Sequence, residues 1–391
     1  MQIFNLTSRI VVTCSNRLSP YLEKEILELG FKPLRTFKTG VELKGTMQDC
    51  IKLNMNLRCA SQVLFSVKEF KAFTANDVYK TIFNIEWENI IAADGYFSIT
   101  SNVSNETITN NLFANVKVKD AIVDRFREKT GQRPNSGPEL DKTVIHLFWK
   151  EDFAEIFIDT AGETLSKHGY RKIPGRAPML ESLAASTLLA TNWNKKSSVV
   201  NPMCGSGTIA IEAALLATNR RPGLFRSNYA FMHVLGYDEL LYQYEKKKLE
   251  TQITTVPGLQ IIASDIYDDA VNVTQVNAGI AGVKDLLTYE VCDFAKTTVP
   301  QNNKGIVYFN PEYGDRLGVE DELAATYKRM GDFLKQQCKG YTGYIFTGNL
   351  ELAKKIGLKP KRRIEFFTSK IDCRLLEYEL YEGTRETPRN F

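Results

Sequence analysis

In the second half of the chain, four runs of strand-forming residues each end in residues suited to holding a ligand. In SSVVNPMCGSGT, Val199 and Val200 lead to Gly205 and Gly207, and an apolar run begins at Thr208. LQIIASD ends on Asp265, and LLTYEVCDF reaches Asp293. In GIVYFNPEYGDRLG, Val307, Tyr308 and Phe309 stop at Asn310 and Pro311, with Glu312 and Tyr313 beyond. The two glycines let the backbone turn tightly and approach a ligand closely, and a helix starting at Thr208 offers free N–H groups. An acid behind the next strand accepts hydrogen bonds from ribose hydroxyls. Each landmark also has a plain reading. G-x-G lacks the third glycine of the dinucleotide fingerprint and also makes an ordinary turn. An aspartate also caps a helix, and Asn-Pro-Glu-Tyr also ends a strand with its tyrosine packed on the sheet. Four such landmarks behind four successive strands point together to one site.

The elements that must position them follow from the pattern. From about residue 180 onward, strand and helix alternate: SSVVNP then TIAIEAALLATN, LQIIASD then DDAVNVTQVNAGIAG, then LLTYEVCDF, GIVYFNP and GYTGYIFTGN. Alternating βα units predict a doubly wound, mostly parallel sheet, which binds ligands at the carboxyl ends of its strands. RIEFFTS and RLLEYELYE predict an antiparallel edge. The separation between the glycine loop and Asp265 is much larger than the roughly 20 residues of a dinucleotide unit. The excess, from RPGLF to TTVPG, reads as an insertion.

Upstream, residues 1–60 alternate short strands with helical patterns and read as a small α+β unit. Residues 61–160 contain the amphipathic NVKVKDAIVDRFREKTG and two strands around a KED turn in TVIHLFWKEDFAEIFIDT. Residues 161–180, with SKHGYRKIPGRAP, read as a basic linker, and 181–391 as the domain carrying the site.

Composition bounds the class. The 391 residues are 43% hydrophobic and 25% charged, as in soluble globular proteins, and too many for one core. No apolar stretch approaches the roughly 18 residues of a membrane span, and the N-terminus lacks the basic start and apolar block of a signal peptide. The seven cysteines are scattered without a C-x-x-C pair, which suggests free thiols in a reducing cytoplasm. The three histidines are far apart, so no metal site is expected. A net charge of +4 does not announce nucleic-acid binding.

The four landmarks resemble the class I S-adenosylmethionine-dependent methyltransferases, in the branch whose Asn/Asp-Pro-Pro-Tyr motif methylates exocyclic amines of nucleobases. NPMCGSGTIAIEAALLA, NRRPGL, SDI and NPEYGDRLG, together with LNMNLRCASQVL, VKVKDAIVDRFRE, IDTAGETLSKHGYR and APMLESLAAS, are similar to the THUMP-containing bacterial guanine-N2 methyltransferases of 23S ribosomal RNA. The resemblance spans nearly the whole chain. It implies a ferredoxin-like unit, a THUMP RNA-binding domain and a Rossmann-like class I methyltransferase domain with an antiparallel last strand. It implies S-adenosylmethionine as cofactor and large-subunit ribosomal RNA as partner, in the cytoplasm. The cofactor would lie along Met203, Cys204, Gly205, Ser206, Gly207, Thr208, Asp265, Ile266, Asp293 and Phe294, with Asp265 on the ribose and Asp293 near the adenine amine. The Asn310 side-chain oxygen and the Pro311 carbonyl would hold the two N–H bonds of the target amine, and Tyr313 would stack on a flipped base. Glu312 departs from the family pattern, which carries a second proline there; its carboxylate either reads a base edge or faces solvent.

RNA binding would fall to local clusters. Lys117, Lys119 and Arg125 sit on the NVKVKDAIVDRFREKTG helix among Asp120, Asp124 and Glu128, and a solvated helix face is the plain alternative. Arg171 and Lys172 sit in the linker near the expected catalytic mouth. KKIGLKPKRR is a further basic run. Two other functions stay open: an adenine-N6 methyltransferase, since the same motif holds that amine, and an RNA-binding protein whose transferase site decayed at Glu312.

Overall fold

Strands of mixed burial build one of the two sheets of this chain, and short runs buried along their whole length build the centre of the other. The computed structural model describes residues 3–106, 108, 110–175, 178–312, 320–368 and 371–383, and the side chains of 320 and 321 are left aside. By their contacts, residues 1–15, 22–166 and 221–251 form one unit, and 16–21, 167–220 and 252–391 form another. The α-helices among the described residues are α1 (Ser19–Glu28), α2 (Met47–Asn56), α3 (Ala75–Phe83), α4 (Asn111–Thr130), α5 (Glu181–Ala190), α6 (Thr208–Ala217), α7 (Glu239–Thr251), α8 (Asp268–Ile280), α9 (Glu320–Gln337) and α10 (Leu350–Lys354).

In the first unit, β1 (Ser8–Thr13), β2 (Arg35–Phe37), β3 (Gly40–Gly45), β4 (Gln62–Lys71), β5 (Tyr96–Ser104), β6 (Asn135–Ser136), β7 (Thr143–Lys150) and β8 (Phe153–Asp159) form one sheet. Its order is β2-β3-β1-β4-β8-β7-β5-β6. β4 pairs antiparallel with β1 on one side and β8 on the other, so the sheet runs unbroken past residue 60. Helix starts follow the capping chemistry: the Thr46 hydroxyl accepts from the Asp49 N–H at 3.3 Å, and Asp49 accepts from the Thr46 N–H at 2.8 Å. Gly131, with φ +70°, ends α4 in the left-handed conformation that glycine adopts without strain.

Most of the segment read as an insertion, residues 221–251, belongs to this first unit, although it follows α6 in sequence. α7 packs on α2, where the Asn56 side-chain amide donates to Glu245 at 2.8 Å. Gly223 lies directly on the backbone of Met55; a Cβ there would sit 2.5 Å from the Met55 carbonyl oxygen.

In the second unit, β9 (Val199–Pro202), β10 (Ile261–Asp265), β11 (Leu287–Val291), β12 (Ile306–Phe309), β13 (Thr342–Thr347), β14 (Arg362–Thr368) and β15 (Ile371–Glu379) lie in the order β11-β10-β9-β12-β13-β15-β14. The first five of these in that order pair in parallel, and β15 enters antiparallel between β13 and β14, giving the expected antiparallel edge. β9, β10 and β12 are buried throughout, as central parallel strands covered on both faces must be. The chain's order reverses between β9 and β12, which opens a crevice at their carboxyl ends. Against one face, Tyr327, Met330 and Phe333 of α9 pack with Val200, Ile262, Val307 and Phe309. No helix among the described residues is long and apolar enough to cross a membrane.

Gly331 of α9 lies against the chain just beyond α10. A Cβ there would sit 1.9 Å from the Ile356 carbonyl oxygen, and that backbone cannot rotate away. Gly331→Ala therefore forces α9 off the sheet, at a cost of about 1–3 kcal/mol of overpacking. Calorimetric unfolding of the variant should show a transition lowered by several degrees; an unshifted transition would mean that α9 is not seated as described.

Candidate active site

The crevice at the strand ends of the second unit is a cleft of about 720 Å³. Its wall takes in Met203, Cys204, Gly205, Ser206, Thr208, Asp265, Ile266, Asp293, Phe294, Asn310, Pro311 and Glu312. Loops far apart in sequence thus meet at one place. Gly207 is the single member of the 203–208 loop outside that wall. Tyr313 lies outside the described residues.

The glycine loop is tied to its neighbours away from the cleft and open towards it. Met203, Gly205 and Gly207 have φ of +57°, +57° and +81°. At Gly207 a Cβ would lie 2.5 Å from Thr274 Cγ2, so packing demands glycine. At Gly205 a Cβ would meet nothing within 4 Å, so the left-handed turn leaves room for a ligand over the backbone. The Cys204 N–H donates to the Ser264 carbonyl at 2.9 Å, and the Gly205 N–H donates to Asp265 Oδ2 at 3.0 Å. Asp265 Oδ1 accepts from the Tyr267 N–H at 3.1 Å. Thr274 donates to the Gly205 carbonyl at 2.9 Å. Burial pushes the Cys204 thiol up to about 12, so it stays protonated and inert.

Asp293 lines the same cleft. It accepts from the Ala295 N–H at 2.9 Å and from Arg329 Nη2 at 2.7 Å. The Arg329 guanidinium holds the Asp293 carboxyl below the usual carboxylate range, and Arg329 also lies over the Phe294 ring at 4.8 Å. Phe294 itself is mostly core, edge-on to Phe309 and Phe333 with centroids 5.8 and 6.4 Å away. At the floor, Asn201 is 1% exposed; its amide nitrogen donates to the Tyr308 carbonyl at 2.9 Å, while its Oδ1 has no partner among the described residues.

Three contributors have no signature in the sequence reading. Arg329 lies on a helix whose charges look like a solvated face. Asn277 of α8 is fully buried and holds the linker: its Oδ1 accepts from the Ile173 N–H at 3.3 Å, and its Nδ2 donates to the Ile173 carbonyl at 3.0 Å and the Ser206 carbonyl at 3.3 Å. Gly175, Pro178 and Met179 of the linker line the cleft as a result. The helix carries several polar side chains, Asn272 and Gln275 among them, and nothing local in the sequence sets Asn277 apart.

The basic candidates divide. Arg171 is turned inward: Nη1 donates to the Met179 carbonyl at 2.7 Å and Thr208 Oγ1 at 3.2 Å, and Nη2 donates to Glu181 at 3.0 Å. It braces the linker against the start of α6. In the first unit, Arg125 is only 11% exposed and grips Glu88 through both Nε and Nη2. Lys172 is exposed. Lys117 lies over the Phe113 ring at 5.7 Å, and Lys119 pairs with Asp120 at 3.2 Å on the half-exposed face of α4. Among the described residues no three His, Cys, Asp or Glu side chains gather as metal ligands would.

Comparison with known proteins gives this arrangement a setting. A family model described as the RMKL-like methyltransferase domain matches residues 168–377. Models of the RlmL ferredoxin-like domain and the THUMP domain match 9–64 and 72–159. A protein of Psychromonas ingrahamii named ribosomal RNA large subunit methyltransferase K/L is 33% identical over 368 residues, 93% of this chain and 49% of that protein. The chain spans about half the length of the curated relatives it matches. Among solved structures, the methyltransferase SMU.472, complexed with SAH, superposes with a TM-score of 0.86 at 25% identity, over 97% of this chain and 99% of that one. A Listeria monocytogenes protein named as an N6-adenine-specific DNA methylase superposes with a TM-score of 0.86 at 27% identity, over 96% and 97% of the two chains.

The Asn277 clamp is directly testable. Asn277→Ala removes the acceptor of the Ile173 N–H and the donor to two carbonyls, which should cost about 1–3 kcal/mol. Hydrogen exchange should accelerate at Ile173 and along the glycine loop while the sheet stays protected. Unchanged exchange at Ile173 would show that the linker is held by something else.

Proposed function

This chain belongs to the RMKL-like methyltransferase family, and from that premise we propose that it transfers a methyl group from S-adenosylmethionine to the N2 amine of a guanine in large-subunit ribosomal RNA. The observation that carries the reading is the convergence of the glycine loop, Asp265, Asp293 and Asn310–Pro311 on one cleft. A ribosomal substrate puts this work in the cytoplasm.

The cleft fits the donor. Gly205 leaves open space over its backbone. The orphaned, buried Oδ1 of Asn201 offers an acceptor to an ammonium group. Both Asp265 oxygens hold backbone N–H groups and keep lone pairs for ribose hydroxyls. Asp293 has one oxygen engaged by Arg329 and Ala295, which leaves the other for the adenine amine. Bound there, S-adenosylmethionine supplies an already activated sulfonium methyl.

What the protein must add is orientation. A guanine amine is a weak nucleophile because its lone pair is delocalised into the ring. The Asn310 side-chain oxygen and the Pro311 carbonyl accept its two N–H bonds, which turns the lone pair towards the donor. The same two oxygens stabilise the positive charge that grows on the nitrogen. Pro311 fixes the backbone that carries its own carbonyl. Tyr313 offers a face for the flipped base. The domain matched by the THUMP model supplies RNA affinity, through Lys117 and Lys119 rather than the inward-facing Arg125; Lys172 adds a charge beside the clamped linker.

The Listeria likeness favours a second reading, since the two acceptors would hold an adenine N6 amine equally well. The THUMP match favours RNA, and nucleoside analysis of the methylated product separates guanine from adenine.

Asn310→Ala should lower single-turnover methyl transfer to ribosomal RNA by about 100-fold or more, because the amine loses its alignment. Calorimetric affinity for S-adenosylmethionine should stay within about twofold, as expected for a residue that touches only the amine. An active Asn310→Ala enzyme would refute this account of the loop.

Lys117→Glu with Lys119→Glu should weaken RNA binding and flatten its dependence on salt, by roughly 0.7–0.9 in the log–log slope for each phosphate no longer neutralised. Filter-binding across a salt series measures it. An unchanged slope would leave α4 as a solvated face.

A further inference from the structure

Resting on that reading of the cleft, we propose that Tyr327 is a positioning residue for the amine-holding loop. Through its hydroxyl it supplies the stiffness that the loop lacks at residue 312. Pro311 fixes its own φ and restrains Asn310 before it. Glu312 has no such restraint. Its side chain is exposed, and neither that side chain nor its N–H makes a hydrogen bond among the described residues. The loop would therefore be free to swing one residue beyond the two acceptors on which the geometry depends.

Tyr327 closes that gap from the core. Its ring is 0% exposed and packs in the cluster formed by α9 and the sheet, so its position is set by the fold. Its hydroxyl lies 3.3 Å from the Glu312 carbonyl oxygen and 3.0 Å from Thr347 Oγ1. A carbonyl only accepts, so Tyr327 donates to it, and the Thr347 hydroxyl then gives its single proton to Tyr327 in preference to the Asn349 carbonyl, which lies farther off at 3.4 Å. Thr347 in turn accepts from the Asn349 N–H at 3.1 Å. Asn349 is itself fixed, because its side chain caps α10 by accepting from the Glu351 and Leu352 N–H groups at 3.1 and 3.0 Å. A relay of two hydroxyls thus runs from the start of α10 through the end of β13 and α9 to the loop after β12. Each link polarises the next. The bond is made to a main-chain oxygen, so it holds whatever side chain stands at 312.

Restoring local stiffness by another route should therefore replace the hydroxyl. Tyr327→Phe keeps the buried ring and removes the hydroxyl, which donates to Glu312 and accepts from Thr347; the Thr347 proton can then turn to the Asn349 carbonyl. Its kcat for methyl transfer should fall about 10- to 100-fold, with the affinity for S-adenosylmethionine unchanged. Hydrogen exchange in the peptide ending at Glu312 should rise. Glu312→Pro, which sacrifices no hydrogen bond among the described residues, should raise kcat in the Tyr327→Phe background several-fold more than in the wild-type background, and should slow exchange again at the Asn310 amide, which every variant retains. Wild-type kcat and exchange in Tyr327→Phe would overturn the proposal. So would a loss that Glu312→Pro does not relieve, since Tyr327 would then be structural only. The exchange readout needs no substrate. If the wild-type chain methylates no RNA, the functional reading fails while the exchange series still decides the role of Tyr327.

Discussion

The Asp265 carboxylate is the joint on which the cleft depends. One oxygen receives the Gly205 N–H and the other the Tyr267 N–H, so one side chain ties the loop after β9 to the loop after β10. A loop that presents backbone to a ligand cannot bury its polar groups in a sheet ladder, and unpaired groups are costly. Here they are met by side chains from neighbouring loops: Asp265 and Thr274 for Gly205, Asn277 for Ser206. The loop stays open on the side facing the cleft and is tied on every other. Asn201 makes a matching link across the switch point to the Tyr308 carbonyl, next to the residues that would hold the amine.

Charge does two kinds of work in this molecule, and burial decides which. The Arg171–Glu181 pair is almost wholly enclosed, at 8% and 3% side-chain exposure. Burial raises the Glu181 carboxyl, the arginine opposes that rise, and removing either partner would strand the other at a cost of about 3–5 kcal/mol. Such a pair holds the linker in place and has little left to offer a phosphate. Exposed pairs such as Lys119 with Asp120 are worth about 1 kcal/mol or less, and such a lysine is readily released to another partner.

Much of the catalytic architecture is legible in the sequence because its signals are local. A β-branched run, a glycine pair and an apolar helix adjoin one another at 199–217, and strand-ending acids mark 265 and 293. The antiparallel pairing of the last two runs was legible for the same reason. What could not be read is what depends on folding back. Asn277 meets Ile173 across 104 residues, and Arg329 meets Asp293 across 36. The sequence shows that Arg125 and Arg171 are charged, but not that Glu88 and Glu181 claim them. The change of pattern near residue 60 falls just before β4, and the sequence does not show that this strand pairs with β1 on one side and β8 on the other. The segment 221–251 was visible as excess length between the glycine loop and Asp265; its place on α2 was not.

That segment has a consequence for the order in which the polypeptide is made. Synthesis delivers residues 22–166 first, then α5, β9 and α6 of the other unit, and only afterwards the stretch that covers α2. Until residue 245 has left the ribosome, the buried Asn56 amide lacks the carboxylate it donates to, and Met55 lacks the glycine that lies on its backbone. Domains of a nascent chain ordinarily close one after another from the N-terminus. Here the first unit reaches its final state only after the glycine loop of the second has already been translated, so a chain stalled before residue 251 has completed neither.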